Sequence, residues 1–162
     1  MQAENMETPS ETKNTADREI IQTRVFNAPR ELVFKTWTDP KHVDRWWGPR
    51  GFTTQTSEMD VRPGGVWRFV MRHAQHGTFT NKVVFLEIVK PERLVYDHGA
   101  DDSNPPHFRV TVTFTDRGQK TELTMRSVFP TAAARDKVVK EVGAIEGGQQ
   151  TLDRFEEWLA QA

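Results

Sequence analysis

The longest helical pattern in the chain lies at its C-terminal end. Ile145, Leu152, Phe155 and Leu159 recur there at helical spacing, with Gly148 on the same stripe. Glu146, Gln150, Asp153, Arg154 and Glu157 fill the opposite side and Trp158 widens the stripe at one edge, which predicts a helix over about Gly143–Ala160. Most of the preceding sequence has the period of two that marks strands. Ile20, Ile21, Val25 and Phe26 predict a first strand from Glu19, and further strands are expected over Thr53–Val61, Val66–His73, Thr78–Val89 and Arg93–His98. The cleanest alternation is in the last two, where Phe108, Val110, Val112 and Phe114, then Thr121, Leu123 and Met125, take every second place on either side of an Asp116-Arg117-Gly118 turn.

Between the first two strands the pattern turns helical. Pro29 is suited to a first helical position ahead of Leu32, Val33, Phe34, Thr36 and Trp37. Asp39 and Pro40 open a second short helix that Gly48-Pro49 closes, and a third is expected over about Ala132–Glu141. The order predicts an α+β fold in which a curved antiparallel sheet of about seven strands grips the long C-terminal helix. Two details stay open at this stage. Trp46 and Trp47 stand about 100° apart on a helix, so one belongs to the core while the other lines a mouth or meets solvent. The Gly147-Gly148 pair costs about 0.5–1 kcal/mol per residue in a helix, which implies either close packing on the sheet or room left for something else.

Composition narrows the class without naming a function. A chain of 162 residues can bury a core as one domain, with residues 1–18 read as a polar, disordered tail and 19–162 as the folded unit. The net charge of −1 argues against binding nucleic acid through bulk charge, and no apolar run is long enough to span a bilayer. Cysteine is absent, so no disulfide, thiol nucleophile or cysteine-ligated metal is expected. With no signal-peptide pattern either, the cytoplasm is the expected compartment.

Four motifs then stand in order: Trp46-Trp47-Gly48-Pro49, Arg62-Pro63-Gly64-Gly65-x-Trp67, Pro91-Glu92-Arg93-Leu94 and Gly147-x-x-Gln150-x-Leu152. Over about Arg18–Ala160 the chain resembles the START-like helix-grip superfamily, in the branch named for activators of the heat-shock-protein-90 ATPase. That resemblance implies a seven-stranded sheet with a cavity between it and the last helix, often able to hold an apolar ligand.

The candidate binding residues follow from parity and from that cavity. Trp67, Phe69, Met71, Phe85, Tyr96, Phe108, Val110, Val112, Leu123 and Met125 fall on one face of the sheet, with Trp46, Trp47, Gly148 and Leu152 supplied by the helices. Tyr96, the only tyrosine, carries a hydroxyl that needs a partner if buried. Glu87 has two readings: on the parity of Val83 and Phe85 it enters the cavity as a raised-pKa acid or base, or the strand bends and it meets solvent or Arg93. His73-x-x-His76 spans a turn without an acidic third ligand, so no metal is expected there, and no phosphate loop or nucleophile elbow is present.

These observations predict non-enzymatic binding of a small hydrophobic or amphipathic ligand, without a cofactor. Two alternatives use other features: a chaperone-partner module suggested by the family name, and a cyclase- or dehydratase-like enzyme using Glu87 or Tyr96 in the same cavity.

Overall fold

The computed structural model describes residues 15–100 and 106–161. The expected tail lies, for residues 1–14, outside the described residues. Seven strands form one antiparallel sheet: β1 (Glu19–Phe26), β2 (Phe52–Met59), β3 (Val66–His73), β4 (Gly77–Val89), β5 (Arg93–Ala100), β6 (Phe108–Arg117) and β7 (Lys120–Val128). Their order is β1-β7-β6-β5-β4-β3-β2, so β2 to β7 form a continuous meander and β1 closes onto β7. The helices α1 (Arg30–Thr38) and α2 (Pro40–Trp46) carry the chain from one edge strand to the other. After β7 come α3 (Ala132–Lys137), a π-helical turn (Val138–Val142) and α4 (Ala144–Leu159). This is the expected helix-grip arrangement of a curved sheet around a C-terminal helix. Among the described residues no helix is long and apolar enough to cross a membrane.

The alternation in β6 and β7 becomes burial directly: Val110, Val112, Phe114 and Leu123 are buried while Thr111, Thr113 and Thr124 take the other face. The same parity puts Trp67 and Phe69 of β3 inside, with the ring of Trp67 stacked on Phe69 at 4.1 Å and Arg68 outside, paired with Glu58. The both-sided apolar run in β4 has a different cause. The register with β5 shifts between Phe85 and Glu87, a bulge that exposes Leu86 and reverses the parity beyond it.

The helix junctions are held by specific groups. Asp39 caps α2 by accepting from the Lys41 N–H at 2.9 Å, with Pro40 in its first turn. Both adjacent tryptophans are buried: Trp46 donates its Nε1–H to the Thr36 carbonyl (3.1 Å), and Trp47 packs edge-on against Trp67 (4.8 Å). Neither lines a mouth or meets solvent, because α2 lies between α4 and the sheet edge and has apolar neighbours on both sides. In the β2–β3 turn a Cβ on Gly65 would sit 2.0 Å from the Asp60 carbonyl, so only glycine fits where the chain folds back to bond Phe85.

The folded unit also starts earlier than Glu19. Thr15 is buried, Ala16–Arg18 form a 3₁₀ turn, and the Arg18 guanidinium donates to the Phe129 carbonyl at 2.7 Å. Polar residues achieve this through hydrogen bonds that an apolar-burial argument does not register.

Candidate ligand-binding cavity

The two halves of α4 meet the sheet differently. In the C-terminal half, Leu152, Phe155 and Leu159 are buried, and the Phe155 ring touches Phe26 (4.9 Å), Trp37 (5.2 Å) and Trp46 (4.6 Å). In the N-terminal half, Ala144–Thr151, no residue is buried and Ile145 is exposed. The expected stripe is therefore dry over its second half only.

The cause lies in β1 and in the segment before β2. The concave face of β1 carries Gln22 and Arg24, with Ile21 and Val25 turned outward and exposed. Gln22 donates to the Ile145 carbonyl at 2.9 Å, and Arg24 donates to Asp153 at 2.7 Å. On the other flank the Arg154 guanidinium donates to the carbonyls of Gly48 (2.8 Å), Trp47 and Pro49 (3.2 Å each), which end α2. Burial lowers the Arg154 pKa, and the nearby Arg50 lowers it further. Polar contacts from Gln22 and from the Arg50 N–H to Gln150 thus hold the N-terminal half of α4, while Arg24 and Arg154 tie down its C-terminal half.

Beside the N-terminal half, on the β2–β4 side, is a cavity of about 620 Å³. Pro49, Phe52, Met71 and Phe79 give it an apolar wall, His73, His76 and Asn81 a polar one, and Arg50, Glu141, Gly143, Glu146, Gly147 and Gln150 the helix side. Phe52 stands 4.8 Å from His73 and 6.1 Å from Phe79, which is 45% exposed. Gln150 accepts from the Arg50 N–H (3.1 Å), while the Arg50 guanidinium turns to Glu157, whose carboxyl this bond holds below its ordinary pKa.

Behind the polar wall, Asn81 Oδ1 lies 3.0 Å from His98 Nε2, a bond the neutral ring donates as its Nε2–H tautomer. The His98 ring sits between Phe69 (5.8 Å) and Phe108 (4.9 Å). Burial there, with His107 adding to it, pushes its pKa down to about 4. Tyr96, unlike the partly buried His98, is fully buried; its hydroxyl has no hydrogen-bond partner and desolvation raises its pKa, so it stays a phenol. Among the described residues no group of three or more metal-ligating side chains gathers. His73 Nδ1 instead accepts from the backbone N–H groups of Gln75 (3.0 Å) and His76 (3.2 Å).

Of the residues the sequence put forward, Met71 lines this cavity. Trp46, Trp47, Trp67, Phe69, Phe85, Tyr96, Val110, Val112, Leu123 and Leu152 are packed in the core, and Phe108 and Met125 pack partly buried against it. Gly148 borders no open space: a Cβ there would meet the Gln22 amide at 2.4–2.8 Å, because the polar side chain from β1 reaches up to it. For Glu87 the second of its two readings holds. The bulge turns it outward to an ion pair with Arg93 at 2.9 Å, so it is not one of the cavity's acids. Phe52, Phe79 and Arg50 of this cavity are not among the residues that parity and the resemblance put forward. Phe79, a lone aromatic in the polar run Thr78–Lys82, was the readable signal, and Gly147 and Gln150 already stood in the fourth motif.

Residues 27–160 match the family described as Activator of Hsp90 ATPase homolog 1-like protein. Among solved structures, protein NE0264 from Nitrosomonas europaea is similar at 25% identity and a TM-score of 0.81, over 90% of this chain and 96% of that one. Protein CV1439 from Chromobacterium violaceum is similar at 26% identity and 0.75, over 88% and 96%. The AHSA1 protein (SPO3351) from Silicibacter pomeroyi, at 19% identity and 0.72 over 88% and 98%, shares the fold. No curated protein matches the chain. With most of its length matched and its helix-grip architecture shared, the chain belongs to the Activator of Hsp90 ATPase homolog 1-like family, within the START-like superfamily.

Proposed function

We propose that the protein binds a small apolar or amphipathic molecule in the cavity between β2–β4 and the N-terminal half of α4. The observation that carries this reading is the partly apolar volume of about 620 Å³ beside the N-terminal half of α4, where no helix residue is buried. Its size falls in the range of small-molecule sites, about 300–1,000 Å³. Met71 and Phe52 supply burial, which stabilises a ligand by about 25 cal/mol per Å² of apolar surface removed from water. Asn81, Gln150 and the histidines supply a few fixed polar groups for orientation.

The test is fluorescence titration with N-phenyl-1-naphthylamine, whose emission rises in apolar surroundings. Saturable binding by the parent is expected, with weakening in Gly147→Leu, which fills the helix side, and in Phe79→Ala, which removes an exposed wall residue. Thermal denaturation checks that both variants fold. Binding that survives in both variants, or none in the parent, contradicts the assignment.

A further inference from the structure

The charge around the cavity is unbalanced, and the imbalance bears on its ligand. Two carboxylates, Glu141 and Glu146, line its helix side. Neither has a basic partner among the described residues. The cavity's guanidinium does not answer them, since both Nη groups of Arg50 are given to Glu157. The N-terminus of α4 adds a partial positive charge of about one half, against which Glu146 in the first helical turn is already set. The sum remains negative.

A second feature lies across the cavity from the acids. Phe52 and Phe79 stand 6.1 Å apart, and almost half of Phe79 is exposed whereas the other large aromatics are mostly buried. Ring faces attract cations, more strongly where water is partly excluded. Carboxylates on the helix side and phenylalanine rings in the apolar wall with Pro49 and Met71 pair charge with apolar surface.

We infer that the ligand of this cavity is an amphipathic cation, an amine or quaternary ammonium on an apolar or aromatic body. This rests on the binding reading given above. The apolar body lies against Met71, Pro49 and Phe52, and the ammonium lies between the Glu141 and Glu146 carboxylates and the phenylalanine faces. An anionic head would meet two like charges with no free guanidinium to offset them.

Three probes with one apolar body separate the possibilities: 1-naphthylmethylamine, 1-naphthylmethanol and 1-naphthoate, titrated by calorimetry at about pH 8, above the range where histidine ordinarily gains charge. The amine should bind roughly five- to tenfold tighter than the alcohol, and the carboxylate more weakly than either. Raising the salt should shrink the gap. In the double variant Glu141→Gln, Glu146→Gln the ratio of amine to alcohol affinity should fall to about one. Each single variant should show part of the effect, which guards against loss of fold in the double. Equal binding of amine and alcohol, a preference for the carboxylate, or an amine preference that persists in the double variant overturns this inference and leaves the binding reading standing. No binding by any of the three overturns both.

Discussion

Gly148 and Gln22 show how a residue that looks like empty space is occupied by a polar neighbour. Alanine at Gly148 gains about 0.5–1 kcal/mol of helix propensity but has to displace the Gln22 amide from the Ile145 carbonyl, an exchange of similar size. The expected result is near neutrality for Gly148→Ala alone and stabilisation by about 0.5–1 kcal/mol when it is made in a Gln22→Ala background. Unfolding midpoints of the four proteins measure the coupling, and additive effects would show that the two residues do not touch. His98 supplies the other prediction at this scale. Its pKa falls from 6.5 in the unfolded chain to about 4 in the folded one. Protons therefore bind the unfolded state preferentially between these values, and stability present above pH 6.5 is lost as the pH drops toward 4. The loss amounts to about 3 kcal/mol at most. Denaturation midpoints across this window should fall less steeply in His98→Gln, which cannot charge; equal slopes would place the ring in water.

The elements differ in how readable they are. The seven strands, the capped α2 and the end of α4 were legible because period, capping residues and apolar count all agreed. What stayed hidden depends on side chains that cross between elements. The bulge that turns Glu87 to Arg93 leaves no mark in sequence except an apolar run on both parities. Gln22 and Arg24 look like ordinary polar residues in a strand, yet they occupy its concave face and bond α4 at Ile145 and Asp153. Arg154 looked like part of a solvated surface, but it holds together the carbonyl ends of Trp47, Gly48 and Pro49. Replacing it by methionine keeps bulk but leaves the Gly48 carbonyl without its donor, while the Trp47 and Pro49 carbonyls keep theirs from the Thr54 hydroxyl and the Phe52 N–H, so Arg154→Met should destabilise the protein by about 1–3 kcal/mol. Lysine, with no planar fork, should recover only part of this in chemical denaturation; full recovery would show that charge alone suffices.

At the scale of the molecule, the sheet and α4 form a clamp that is closed at one end and propped at the other. Most of the candidate binding residues belong to the one core cluster that also holds Trp37, Trp46 and Phe155. The cavity is at the propped end, because burial and binding both select apolar residues and parity alone does not separate them. The central claim is that a ligand enters beneath the N-terminal half of α4 and leaves the tryptophan core untouched. Methyl and amide NMR during titration with 1-naphthylmethanol tests it most directly. The account predicts saturating shifts at the Met71 methyl and at the Gly147 amide, while the indole N–H signals of Trp46 and Trp67, bonded to Thr36 and Thr56, stay in place. Shifts centred on those indoles with Met71 and Gly147 unmoved would contradict it.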